Sequence, residues 1–93
     1  MANKRTLKKS VNYIAGELFT ECIVVKNFIP NVNEDKVNEL MTKVLYMQDE
    51  FIRRINHPEP GNVKGHFKKL RKDFDEQLDL LINEIGNLHE QKA

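Results

Sequence analysis

The chain contains three stretches in which apolar residues recur at alternating steps of three and four, the spacing that lines one face of an α-helix. These stretches cover residues 7–29, 37–55 and 63–88, and the second includes Leu45 in its apolar stripe. No segment alternates apolar and polar residues as a half-buried β-strand does. The repeat therefore predicts an all-α fold of amphipathic helices.

Turn-forming residues separate the three stretches. Pro30 disfavours helical geometry at the residue before it, and the run 31–34 offers an N-cap asparagine with a glutamate three positions later. The segment 58–61 holds two prolines and a glycine, which cannot extend a helix, and Asn62 is placed to cap the third helix. These signals predict helices at approximately 6–28, 33–56 and 63–88, followed by a tail at 89–93.

Helices of this length joined by loops of about five residues must lie side by side in alternating directions. We therefore expect an antiparallel up-down-up three-helix bundle with long helices packed at shallow angles. A chain of 93 residues has the size of one small domain, 1–93. At this size the core must be efficient or shared with a second subunit, so the bundle is expected to be monomeric or dimeric.

The composition excludes several classes of protein. With 40% hydrophobic and 31% charged residues, the chain is too apolar for a disordered protein and too charged for a membrane protein. Its net charge of +1 produces no overall field toward nucleic acid or an anionic membrane. The basic first ten residues resemble the start of a signal peptide, but Glu17 and Glu21 interrupt the apolar stretch that such a peptide requires next. We expect a cytoplasmic protein that does not engage a membrane.

The first helix carries more apolar surface than one packing seam requires. Phe19 and Ile23 lie to one side of its main stripe, whereas Tyr13 and Val24 lie to the other. Either this helix is central and contacts both neighbours, or one flank contacts another subunit in a homodimer, which makes these four residues the candidate oligomer interface. Gly16 either permits a close helix crossing or is a tolerated imperfection.

The predicted topology gathers basic residues at one end of the bundle. Eleven of the fifteen Lys and Arg residues fall there, against four of the fourteen acids, Asp49, Glu50, Glu59 and Asp73. The remaining part holds four bases and ten acids, so the molecule should be strongly dipolar. We call the eleven cationic residues the basic end: Lys4, Arg5, Lys8, Lys9, Arg53, Arg54, Lys64, Lys68, Lys69, Arg71 and Lys72.

Helix dipoles suggest what the basic end is for. Cations at the end of the second helix suit its dipole, whereas those at the starts of the first and third oppose it by about 0.3–1 kcal/mol each when exposed. Two helix amino termini surrounded by cations can bind a phosphate or a cluster of acidic side chains. Three interpretations remain open: a specific anionic partner, a solvated charged surface, and head-to-tail attraction between two copies.

If the partner is nucleic acid, the cations would contact phosphates without sequence specificity, because no base-reading module is present. Phe67 lies among Lys64, Lys68 and Lys69 and could stack on a base. Its place in the apolar stripe favours core packing instead.

Candidates for chemistry are few. His57, Glu59 and His66 lie near the second loop, but their spacing follows no metal-ligand rule. Cys22 is the only cysteine, so no intramolecular disulfide forms, and its place in the apolar stripe favours a core residue over a nucleophile. We predict no catalytic residue, no metal site and no cofactor.

The run 11–14 (VNYI) with Leu18 and Phe19, together with the turn 57–61 (HPEPG), resembles a group of short uncharacterised all-helical proteins of anaerobic gut and oral bacteria. The resemblance covers nearly the whole chain and implies a small intracellular bacterial protein, with no activity attached. We therefore expect a non-enzymatic protein-interaction or scaffolding bundle whose basic end binds an anionic partner or a second copy. The alternative is sequence-nonspecific nucleic-acid binding through the same residues.

Overall fold

The chain folds into three long α-helices. The computed structural model describes residues 4–90, over which α1 spans Lys4–Phe28, α2 spans Glu34–Asn56 and α3 spans Val63–Glu90, with no β-strand. Each observed helix boundary lies within two residues of the predicted one. The expected tail is shorter, because α3 continues to Glu90, and residues 91–93 lie outside the described part of the chain.

Consecutive helices run antiparallel, as predicted, and hydrogen bonds across the helix pairs give their register. Gln48 Nε2 donates to Asn12 Oδ1 at 2.8 Å, and Lys26 Nζ donates to Asn38 Oδ1 at 3.2 Å, so positions that advance along α1 retreat along α2. Two ion pairs show the same reversal between α2 and α3, namely Arg54 with Asp73 and Lys43 with Glu84. It follows that α1 and α3 run parallel.

The helices form a narrow rod with α2 at its centre. Its dimensions are 53 × 19 × 18 Å. Short loops join α2 to both other helices, and it packs against each of them more extensively than α1 and α3 pack against each other. The interpretation of α1 as the central helix is therefore wrong, and part of the extra apolar surface of α1 remains uncovered.

A single hydrophobic core runs along the rod and consists mainly of the stripes that the sequence repeat predicts. Ala15 and Met47 are buried although the repeat leaves them out, and Leu45 and Val63 are exposed although the repeat includes them. Phe51 and Phe74 meet edge to face with ring centroids 5.1 Å apart. Each buried side chain of this size contributes about 1.5–3 kcal/mol to stability. The fully buried positions, under 2% exposed, are Cys22, Val25, Val37, Leu40, Val44, Phe51, Ile55 and Leu88.

The helix boundaries have local causes. Asn33 is the N-cap of α2, and its side-chain oxygen accepts a hydrogen bond from the backbone N–H of Lys36 at 3.2 Å. Asn31 adopts a left-handed conformation at φ 61° in the first loop, so the predicted pairing of Asn31 with a glutamate does not form the cap. In the second loop Gly61 has φ 81°, a region that favours glycine. The carbonyl of Asn62 accepts the first helical bond of α3.

Over the described residues, none of the helices combines the length and hydrophobicity that crossing a membrane requires.

Candidate anion-binding surface at the basic end

The structure brings the start of α1, the end of α2 and the start of α3 to the same end of the rod. Leu7 and Val11 of α1 line a common depression with Leu70 and Phe74 of α3. The ion pair between Arg54 of α2 and Asp73 of α3 joins the end of α2 to the same region. The convergence expected from the up-down-up topology is confirmed.

Arg54 is occupied by contacts within the protein. Its Nη2 lies 2.9 Å from Asp73 Oδ2 and its Nη1 lies 3.7 Å from Glu50 Oε2. Its guanidinium also lies over the ring of Phe51, 5.0 Å from the centroid. The contact with Asp73 joins the end of α2 to α3, and the contacts with Glu50 and Phe51 hold the guanidinium in place, so Arg54 stabilises the packing of the two helices.

Arg53 is likewise paired, with its Nη2 2.6 Å from Asp49 Oδ2 on the same helix. Three of the four acids assigned to the basic end thus contact these two arginines. Arg53 and Arg54 therefore serve contacts within the protein, and the other cations of the basic end lie on α1 and α3.

Four cations on α3 form one exposed surface, which we call the α3 basic stripe: Lys64, Lys68, Arg71 and Lys72. Lys64, Lys68 and Lys72 follow one another at one-turn intervals, and Arg71 lies beside them on the side toward α1. None of the four forms an ion pair or hydrogen bond with another residue of the described chain. Lys69 is also exposed, but lies about 100° further round the helix than Lys68.

Asp75 is a further acid near this stripe, beyond the four that the predicted topology assigns to the basic end. It lines the same depression between α1 and α3 as Arg71, together with Ser10 of α1. Asp75 and Arg71 are one turn apart on α3, so the carboxylate reduces the positive potential at the inner end of the stripe. The helical step of four from Arg71 could have predicted this position.

Four cations on α1 form a second surface, the α1 basic group: Lys4, Arg5, Lys8 and Lys9. Together with Asn12 they line a shallow depression. Because Asn12 accepts a hydrogen bond from Gln48 of α2, this group lies on the side of the rod where α1 meets α2. The α3 basic stripe lies on the side toward α1, away from α2.

The eleven cations therefore share one end of the rod, as the predicted topology requires, but they do not share one face. Successive residues of a helix are turned by about 100°, so cations close in sequence separate onto different sides once the neighbouring helices are in place. The result is two exposed basic surfaces, one on each side of α1, with two paired arginines on α2.

The helix termini make these cations unfavourable for stability. The first turn of α1 and the first turn of α3 contain no acidic residue, whereas α2 begins with Glu34 and Asp35. Cations at a helix amino terminus oppose its dipole, and like charges one turn apart repel. The dipole opposes Lys4 and Arg5 in the first turn of α1 and Lys64 in the first turn of α3, and repulsion between cations one turn apart opposes the rest of both surfaces.

The other predicted site residues are dispersed. Phe19 packs against the core and Ile23 is exposed on one flank of α1, whereas Tyr13 and Val24 are exposed on the other flank. The contact of one flank with another subunit stays a prediction. Phe67 is only 8% exposed, so the alternative in which it stacks on a base is wrong.

His66, considered above with His57 and Glu59 as a possible metal ligand, makes contacts within the protein. His66 Nε2 lies 2.8 Å from the carbonyl oxygen of Arg54, and its ring packs on Phe67. This contact holds the start of α3 against the end of α2. Over the described residues, no three His, Cys, Asp or Glu side chains are grouped closely enough to hold a metal ion.

Several large apolar side chains are exposed at the surface, and the apolar repeat does not predict their exposure. Leu45 is one of them, although the repeat predicts it in the core, and Tyr46 and Leu80 line an open groove of about 330 Å³ between α2 and α3. A stripe that permits steps of both three and four does not say which of two neighbouring apolar positions is covered.

No protein family, curated protein or solved structure matches this chain.

Proposed function

We propose that this chain is a non-enzymatic interaction or scaffolding protein of the cytoplasm, and that its α3 basic stripe binds an acidic segment of a protein partner. The observation that carries the proposal is the stripe itself: exposed cations at one-turn spacing, at a helix amino terminus, without a partner among the described residues. The proposed ligand pairs with cations that form no ion pair within the described chain.

The dimensions of the stripe favour a compact acidic ligand. From Lys64 to Lys72 it extends about 12 Å along the helix axis, at 1.5 Å per residue. Two or three carboxylates on one face of an acidic helix or loop cover that distance. The backbone N–H groups at the start of α3 add to the attraction. A peptide with clustered Asp and Glu residues is thus the matching chemistry.

The interior supports a non-enzymatic role. Over the described residues every buried side chain is hydrophobic, and the depressions described above are open to the surface. Nucleic acid remains the second candidate because the cations of the α1 basic group and the α3 basic stripe can contact phosphates at the surface.

The test compares binding of a labelled Asp- and Glu-rich peptide with binding of a labelled single-stranded oligonucleotide, in about 50 mM salt. The variant Lys68→Glu/Lys72→Glu should weaken peptide binding at least about tenfold, since it removes two central cations. The control variant Lys36→Glu/Lys69→Glu makes the same change in net charge at exposed positions outside the stripe, and should leave affinity within about twofold.

The outcomes separate the two candidates. Tighter binding of the oligonucleotide than of the peptide would favour the nucleic-acid alternative. No salt-sensitive binding of either probe, or equal losses in the two variants, would refute the proposed role of the stripe.

A further inference from the structure

One side of the rod, where α1 and α2 lie next to each other, has an uncharged surface along its middle. We call it the neutral band, formed by Asn12, Gly16, Phe19 and Ile23 of α1 with Thr42 and Leu45 of α2. Glu17 and Glu21 border the band on the outer side of α1, where they line a depression with Asn12 and Gly16. The charged residue between Thr42 and Leu45 of α2 lies on another side of the rod. This residue, Lys43, contacts Glu84 of α3.

The absence of charge along this band is informative because 31% of the chain is charged. Depletion of charged residues with retention of large apolar side chains marks the centre of a protein interface. Here Ile23 is 39% exposed and Leu45 is 52% exposed, and Phe19 is only partly covered. The chain itself leaves these apolar side chains in contact with water.

The polar groups of the band have partners already, so that burial would leave few of them unsatisfied. Asn12 accepts from Gln48, and Thr42 Oγ1 donates to the carbonyl of Asn38 at 3.0 Å. Asn38 Oδ1 accepts from Lys26. Buried polar groups with partners avoid the desolvation penalty that would otherwise oppose association.

Gly16 adds a place for close approach. It is exposed in the middle of α1, and no atom outside its own helix backbone lies within 4 Å of the position that a Cβ would occupy. No helix of the described chain therefore crosses closely at Gly16, which removes that explanation for the glycine. The open backbone lies on the same flank of α1 as Ile23, two turns further along, and leaves room for a second helix to pack.

Opposite charges flank the neutral band along the rod. The α1 basic group lies at one end, and Glu34 and Asp35 at the start of α2 lie at the other. Lys26 also lies at the acidic end of this side, where its ammonium donates to Asn38. A two-fold axis perpendicular to the rod at the middle of the band would bring each basic group opposite Glu34 and Asp35 of a second copy.

We propose that a second copy of this chain covers the neutral band and forms an antiparallel homodimer. Leu45, near the middle of α2, packs close to the two-fold axis against the region of Gly16 and Ile23 in the other copy. The α1 basic group contacts the acidic start of α2 in the other copy. The α3 basic stripe lies on another side of the rod and stays available, so the dimer does not depend on what the stripe binds.

Sedimentation equilibrium over a concentration series tests the dimer. Leu45→Glu should raise the dissociation constant at least about tenfold, because it places a charge at the centre of the interface. The matched control is Leu80→Glu, the same substitution at a residue that is 60% exposed in the groove between α2 and α3, and it should leave the constant within about twofold. A wild-type chain that stays monomeric up to about 1 mM overturns the proposal, as does a larger effect of Leu80→Glu.

A charge exchange tests the antiparallel arrangement. Lys4→Glu/Lys8→Glu and Glu34→Lys/Asp35→Lys should each weaken self-association several-fold. When the two variants are mixed in equal amounts, each altered end faces a complementary one, and a heterodimer should form with nearly wild-type affinity. Circular dichroism verifies that each variant is helical. Two folded variants that fail to associate on mixing would rule out the antiparallel arrangement.

Discussion

Arg54 and Asp73 hold α2 against α3 through a contact of 2.9 Å between Nη2 and Oδ2, with side-chain exposures of 25% and 31%. Arg53 and Asp49 form a geometrically similar pair at 2.6 Å, but both side chains are about 70% exposed and both lie on α2. The two neighbouring arginines therefore provide a direct comparison between a partly buried ion pair that joins two helices and a solvated pair within one helix.

We expect Asp73→Asn to lower the free energy of unfolding by about 1 kcal/mol, because it leaves a partly buried guanidinium with only the longer contact to Glu50. Asp49→Asn should change it by less than about 0.5 kcal/mol. Urea denaturation followed by circular dichroism measures both values. Equal effects of the two substitutions would show that the pair between α2 and α3 contributes no more to stability than the solvated pair within α2.

Replacement of a glycine by alanine should stabilise the chain at some positions and destabilise it at others. Gly16 and Gly86 lie within helices with open space around the missing Cβ, so each substitution should stabilise the chain by about 0.5–1 kcal/mol. Gly61→Ala should destabilise it by about 1 kcal/mol, because its φ of 81° strains any residue with a Cβ. Thermal unfolding at concentrations where the chain is monomeric distinguishes the cases. A destabilising Gly16→Ala under those conditions would contradict the open environment.

Burial, with a smaller effect from the carboxylate of Glu21, raises the pKa of the Cys22 thiol. A raised pKa means that the folded state keeps the proton to higher pH than the unfolded state. Stability should then fall as the pH rises from about 8 to about 10, where the unfolded thiol ionises first. The Cys22→Ala variant should lose this part of the pH dependence, which paired denaturation curves measure. An identical slope in both proteins would contradict the assignment.

Replacing a cation at the start of α3 should stabilise the fold while it weakens binding. Lys64→Glu places a negative charge in the first turn and should raise the free energy of unfolding by about 0.3–1 kcal/mol at low salt. The gain should shrink at about 1 M salt, where the charges are screened. Lys72→Glu makes the same change beyond the first turn and should have a smaller effect. A loss of stability in Lys64→Glu would show that the stripe supports the fold rather than a partner.

Local signals in the sequence predict the helices closely. Pro30 and the two prolines of the second loop end the helical patterns, and Asn33 and Asn62 precede the next helices, so the boundaries depend on residues a few positions away. The antiparallel order follows from the short loops. The grouping of all eleven cations at one end follows from that order as well, since it depends only on position along the helices.

The sides of the helices are less predictable because they depend on where the neighbours lie. Leu45 continues the apolar repeat from Met41 by a step of four, and Met47 continues it from Val44 by a step of three. The position of α3 decides that Met47 is covered. Similarly, α1 carries apolar residues on two flanks, and only the packing shows that α2 is the central helix. The separation of the α1 basic group from the α3 basic stripe has the same origin, because it is decided by the side of α1 on which each neighbour packs.

The short loops at residues 29–33 and 57–62 also bear on how the chain reaches its native state. Each brings together helices that are adjacent in sequence, so most native contacts close with little loss of chain entropy. The contacts between α1 and α3, which require the longest closure, are also the least extensive. The chain thus has the low contact order of fast-folding helical proteins, and its most extensive pairing, the α1–α2 hairpin, can form before α3 docks.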